Sequence, residues 1–237
     1  MVLLAVVVLT GCVYYNTFYN ARHAYREAEL LREERPPDSD PTALEIELLD
    51  RTIEKSRKVI RQHPESDWAD DAYLLLARSL YHQSKYEAAE ERLTEFLSLF
   101  PESELRPEAE YSLAAVLLAK RNPVAAEDML ARVASADPPV PLSDDAMMLI
   151  GEARNSRGRY EDAAETYRHA LERFPGSRIR GRIRYLAAEN YAAMGELEMA
   201  AESFRQVPEE PATPQIVFES RMRLAEIDLE LDRTEEA

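Results

Sequence analysis

Residues 70 to 101 read DDAYLLLARSLYHQSKYEAAEERLTEFLSLFP. Leu76, Ala77 and Leu80 stand at i, i+1 and i+4, on one face of a helix. Ala89, Leu93 and Phe96 stand at i, i+4 and i+7, on one face of a second. Small residues at 77 and 89 let two helices approach closely. A large side chain there would overpack the contact, at roughly 1–3 kcal/mol. Pro101 ends the second helix, because proline cannot continue it and restricts the residue before it. The stretch predicts a helical hairpin.

The hairpin recurs. Pro64, Pro101, Pro138 and Pro175 follow one another every 37 residues. Ala89, Ala126, Ala163, Ala200 and Ala237 keep that step, as do Ala77, Ala114, Gly151, Ala188 and Ala225. A fixed period of this size predicts an all-α solenoid built from one supersecondary unit. The units span about 70–103, 107–140, 144–177 and 181–212, with the Pro column of the last slipped to Pro211. A fifth begins near Phe218, and its second helix is expected to be under way at Ala237. The array is thus placed at 70–237, with its last repeat incomplete.

Tyr73, Leu76, Ala77, Leu80, Ala89, Leu93, Phe96 and Pro101 resemble the tetratricopeptide repeat, with Phe96 where that family usually has a small residue. The columns recur in phase in Leu113, Ala114, Leu117, Ala126, Leu130, Val133 and Pro138, then in Ile150, Gly151, Ala163, Tyr167, Ala170 and Pro175. The resemblance implies a right-handed superhelix of helical hairpins that binds peptide segments on a concave side lined by first helices. Mapped onto that side, Leu74, Tyr111, Met148 and Tyr185 form one column, and Tyr81 and Leu118 another. Such an apolar and aromatic surface suits a segment of a partner protein. The alternative, packing between neighbouring first helices, stays equally open. Many chaperone-binding arrays carry a basic and amide clamp at matching positions. Leu, Tyr and Met stand there, so that clamp is not expected.

The chain carries 45 acidic against 29 basic side chains, a net charge of −16. That balance argues against nucleic acid, whose phosphates need a basic footprint. One Cys leaves no intrachain disulfide and no thiolate cluster. His23, His63, His82 and His169 are scattered without partners at ligand spacing. No glycine-rich phosphate loop and no nucleophile elbow occur in the sequence. The expectation is a non-enzyme without metal or cofactor.

Val2 to Leu9 is an unbroken apolar run, too short to span a bilayer as a helix. Leu9-Thr10-Gly11-Cys12 follows and resembles a bacterial lipobox. The resemblance implies a signal peptide at 1–11, cleavage before Cys12, and lipid on the Cys12 thiol. No Lys or Arg precedes the run, although a basic segment is usual there. Val13, in place of an Asp, leans toward the outer membrane. Lipobox plus repeats resembles, in architecture, the BamD-type lipoproteins of outer-membrane barrel assembly. Those chains begin their repeats soon after the Cys, whereas a long lead-in intervenes here. The resemblance implies an outer-membrane, periplasm-facing protein with envelope partners. A general envelope scaffold, or the non-catalytic subunit of a peptidoglycan or polysaccharide enzyme complex, are the alternatives.

Residues 12–41 read as an anchor segment and lead-in helix. Tyr14, Phe18, Ala21, Tyr25 and Ala28 share helical spacing, fitting either an aromatic belt at lipid headgroups or a packed stripe. Tyr25 is assigned to packing; Tyr14 and Tyr15 are left open. Residues 33–41, EERPPDSDP, read as a loop. Thr42, with Glu45 three residues on, predicts a capping box for a helix to about His63. Residues 42–66 are then a degenerate leading repeat, with Thr52 in the Ala column. Arg178, Arg180, Arg182 and Arg184 read as a solvated loop and helix start paired with nearby Glu, rather than a docking site for acidic groups.

Overall fold

A computed structural model describes residues 2–35, 39–137 and 139–235, with side chains from residue 16 to residue 232 within those stretches. Among the described residues there are eleven α-helices, one short 3-10 turn and no strand. The helices are α1 (Val2–Glu34), α2 (Ala43–Gln62), α3 (Ala69–His82), α4 (Tyr86–Leu99), α5 (Arg106–Ala119), α6 (Pro123–Ala134), α7 (Ser143–Asn155), α8 (Tyr160–Arg173), α9 (Arg180–Ala193), α10 (Leu197–Gln206) and α11 (Pro214–Glu235). The chain forms two compact units, one through Lys120 and one from Arg121 onward.

In the first unit each helix packs on the next from α1 to α5. Ala77, Ala89, Leu93 and Phe96 are all buried, so the small and large columns close the α3–α4 hairpin as their spacing requires. In the second unit α6 packs on α7, and the chain alternates through α8, α9 and α10 to α11. Tyr167 and Phe204 fill the position that Leu93 fills in the first unit.

Two kinds of turn alternate. Inside each hairpin the chain turns through one left-handed residue: Ser84 (φ 57°), Arg121 (φ 60°), Gly158 (φ 71°) and Gly195 (φ 79°), again 37 apart. At Ser84, Gly158 and Gly195 the next residue closes the preceding helix by a bond that reaches back five residues: Lys85 N–H to Leu80 O (2.9 Å), Arg159 N–H to Arg154 O (3.0 Å) and Glu196 N–H to Tyr191 O (2.9 Å). Between hairpins the residue before proline leaves the helical region: His63, Phe100 and Phe174 have φ of −141°, −123° and −120°. Pro138 lies outside the described residues. Two residues after Pro101 and Pro175, a serine joins neighbouring repeats. The Ser103 hydroxyl donates to Asp70 (2.6 Å) and accepts from Leu105 N–H (3.1 Å). Ser177 does the same with Asp144 (2.7 Å) and Ile179 N–H (3.2 Å).

Three expectations change. First, α1 is one helix from Val2 to Glu34, and it packs along α2 as the first arm of a hairpin. Thr52 supports this pairing, donating to Leu48 O (2.9 Å) and lying 3.4 Å from Ala21 O. Second, Thr42 caps α2 by accepting from Glu45 N–H (3.1 Å), but Glu45 does not complete the box. Its carboxylate is buried and faces Arg35 at 3.4 Å, because the loop from α1 brings a cation to it. Third, α11 begins at Pro214 and continues without a hairpin turn to Glu235.

Candidate protein-binding surface

The six candidate surface residues divide by burial. Leu74 is 4% exposed and Met148 3%, so both are buried. Tyr81, Tyr111, Leu118 and Tyr185 are half-buried. Tyr81 lies at the end of α3, its ring 5.2 Å from His82 and 5.7 Å from Tyr86. Tyr185 lays its ring edge-on to Phe204 at 5.5 Å. Burial, then the charges of Glu189 and Glu219, push its hydroxyl up to about 12. The side chain of Cys12, like those of Tyr14 and Tyr15, lies outside the described residues.

The first unit has an open cleft of about 220 Å³ between α1, α3 and α5. Phe18, Tyr25, Leu74, Leu75 and Leu105 supply apolar walls. Phe18 and Tyr25 are buried, and Phe18 sets its ring 5.2 Å from Trp68, so the α1 stripe packs on the array at these positions. Arg22 and Arg26, exposed on successive turns of α1, stand at the rim with Asp71 and Glu108. Arg78 holds Glu108 (3.1 Å) and the Ser112 hydroxyl (3.3 Å). Burial, with Asp70 beside it, pushes the Asp71 carboxyl upward. Apolar walls under charges of both signs suit an amphipathic segment rather than a small anion.

His82 sits behind this cleft, between the rings of Tyr25 (6.2 Å) and Tyr81 (5.2 Å). Burial, reinforced by Arg32 and Arg78, pushes it down to about 3, so it is neutral. Among the described residues no three His, Cys, Asp or Glu side chains gather as a metal site. No helix is long and apolar enough to cross a membrane, among the described residues.

In the second unit the arginine run is less solvated than its sequence suggests. Arg180 (3.1 Å) and Arg184 (2.8 Å) converge on one Glu210 carboxylate, and Arg182 reaches Glu152 at 3.2 Å. Arg180, Arg184 and Glu210 are largely shielded from solvent. The pairing with Glu was legible; the burial was not, since Glu210 arrives from the loop after α10.

A family profile described as the tetratricopeptide repeat-like domain matches residues 1–185. The chain belongs to this family. The match takes in α1, which agrees with its place as the first arm of a repeat hairpin. No curated protein is significantly similar to the chain in sequence. Among solved structures, a MamA crystal structure is similar at 24% identity and a TM-score of 0.56, covering 69% of this chain and 88% of that one. The putative kinesin light chain of Podosopora anserina, with nearly identical TPR-like repeats, is similar at 18% identity and a TM-score of 0.60, covering 79% and 92%. A second MamA, from MSR-1, gives 17% identity and 0.55, covering 82% and 96%. At these identities the likeness is one of fold.

The chain is a tetratricopeptide repeat-like scaffold of a kind suited to protein–protein interaction. Sequence phase alone missed what α1 contributes to its first-helix face, because α1 carries no column of the 37-residue step. The Phe18, Ala21, Tyr25 and Ala28 stripe was the available signal, and all four are buried.

Proposed function

We propose that this chain is a lipid-anchored, periplasm-facing scaffold of the bacterial outer membrane that holds envelope proteins on the first-helix face of its repeats. The observation that carries the anchoring is Leu9-Thr10-Gly11-Cys12 at the end of an apolar run, directly before a repeat array. Cleavage before Cys12 would leave the acylated residue six positions from the docked Phe18. That is about 9 Å of helix, so the anchor would lead into the array without a flexible tether. Stable anchoring needs more than one acyl chain, each CH₂ adding about 0.8 kcal/mol.

For binding, Tyr81, Tyr111, Leu118 and Tyr185 remain as contact residues, joined by the α1–α3–α5 cleft. A role in barrel assembly, as in BamD-type lipoproteins, is the first form of this reading. Coordination of secretion, motility or cell-wall work is the second, and a non-catalytic subunit of a peptidoglycan or polysaccharide enzyme complex the third. The test of anchoring is metabolic labelling with a radioactive fatty acid, followed by membrane fractionation, for the wild type and Cys12→Ala. Label and membrane association should both be lost in the variant. A variant that stays with the membrane fraction would refute the lipoprotein reading. Affinity purification from mild detergent then separates the three forms, by recovery of the barrel-assembly channel, of secretion or motility components, or of hydrolases.

A further inference from the structure

The α7–α8 hairpin departs from the repeat pattern at two columns. Leu80, Leu117, Arg154 and Tyr191 share one of them, and Leu99, Ala136, Arg173 and Glu210 the other. Of the four hairpins from α3 to α10, this one alone carries arginine in both. The two arginines line one open groove of about 450 Å³ in the second unit, bounded by the second helices α6 and α8 and floored by the first helix α7. Met147 and Ile150 of α7 and Ala134 of α6 supply its apolar part. Arg168 and His169 of α8 join Arg173 on the rim, where the one acidic lining residue is Glu165.

The fold leaves these cations under-compensated. Arg154 donates to Glu127 (2.7 Å) and to the Thr166 hydroxyl (2.7 Å), but Glu127 also faces Arg157 (3.2 Å) and Arg159 (3.8 Å), so one carboxylate answers three guanidinium groups. Arg173 donates to Ala136 O (3.1 Å) and meets no carboxylate within ion-pair distance among the described residues. Arg168 meets Glu172 (2.7 Å) and Glu165 (3.8 Å) in exposed pairs, which contribute little and exchange readily. In a chain of net charge −16 the groove is a local exception. We propose that it docks an acidic amphipathic helix of a partner protein, apolar side chains over Met147, Ile150 and Ala134, carboxylates against Arg168, His169 and Arg173. The apolar floor selects a side-chain face over a small inorganic anion, and the cations select carboxylates over ammonium groups. From Glu165 to Arg173, α8 runs about 12 Å, which matches about two turns of the bound helix. This site lies on second helices, apart from the first-helix face, so it goes beyond the proposed function and does not rest on it.

The test is biolayer interferometry on the immobilised full chain. One probe is a synthetic helical peptide with Leu along one face and Glu flanking it; the other is the same peptide with Lys for each Glu. The Glu peptide should bind at least roughly tenfold more tightly than the Lys peptide. Ala131 lines the groove on the α6 side and His169 on the α8 side, and both are exposed. Ala131→Glu and His169→Glu therefore place a carboxylate in the groove without removing a bond that holds the fold, and circular dichroism should be unchanged. Each should weaken the Glu peptide at least roughly tenfold, about 1.4 kcal/mol. Gln62→Glu, the same charge change at an exposed position of α2, should leave it within about twofold. A Glu peptide that does not bind would overturn the proposal. Equal binding of the two peptides would overturn it too, since an apolar surface alone would then suffice. Equal weakening by Gln62→Glu would overturn it by assigning the effect to the charge of the whole chain.

Discussion

The ring of Tyr167 occupies the space that a Cβ on Gly151 would fill. In the α3–α4 hairpin the same two columns hold Ala77 and Leu93. Gly151 is therefore coupled to Tyr167: the missing methyl makes room for the larger ring. Tyr167 is completely buried, so its ring has no solvent side to move toward. Gly151→Ala should destabilise the second unit by roughly 1–3 kcal/mol, despite the better helix propensity of alanine. Adding Tyr167→Leu should recover most of that loss, because it recreates the Ala–Leu pair. A double-mutant cycle in urea measures the coupling, and additivity of the two changes would refute it.

Ser84 and Arg121 hold left-handed backbone where Gly158 and Gly195 hold it without a Cβ. Such residues carry a steric cost of roughly 1–2 kcal/mol, partly offset because glycine is freer in the unfolded chain. Ser84→Gly and Arg121→Gly should each stabilise by roughly 0.5–1 kcal/mol. Gly158→Ala should do the reverse by a similar amount. Thermal melts of the three variants check the pattern, and loss of stability in Ser84→Gly would contradict it.

His82 makes stability depend on pH. Its ordinary value is 6.5, and burial lowers it to about 3 in the folded chain. Between these values the unfolded chain binds the extra proton, so stability falls as pH drops below about 6.5. The slope approaches about 1.4 kcal/mol per pH unit at its steepest. Above pH 6.5 this group contributes no dependence. Asp71 and Glu152, pushed up mainly by burial, act in the opposite sense. The difference between wild type and His82→Phe isolates the histidine. Urea denaturation from pH 4.5 to 7.5 should show the variant gaining on the wild type as pH falls. Parallel curves would mean that His82 is protonated in the folded chain.

Much of this fold was legible in one stretch and one period. The proline, Ala77 and Ala89 columns report contacts that every hairpin must make, so they recur in the sequence. The left-handed column at residues 84, 121, 158 and 195 is not legible in the sequence, because only two of its four members are glycine. Capping at Thr42 was readable from local spacing, but the pairing of Glu45 with Arg35 depends on a loop path. The same holds for Glu210, whose two arginine partners lie 26 and 30 residues away in sequence. Candidate contact residues were the least legible. A column position fixes which face of a first helix a side chain occupies, but not how closely the next first helix approaches it. Leu74 and Met148 are buried, while Tyr111 in the same column keeps part of its surface.

In the proposed function the first-helix face of the repeats holds a partner protein. The direct measurement is quantitative affinity purification of the full chain from its own membranes, wild type against Tyr111→Asp and Leu118→Asp. Both side chains are half-buried, so circular dichroism must first show that each variant folds. One or more envelope proteins should be recovered with the wild type and depleted roughly tenfold or more with either variant, about 1.4 kcal/mol of binding. An unchanged set of partners with folded variants would contradict it.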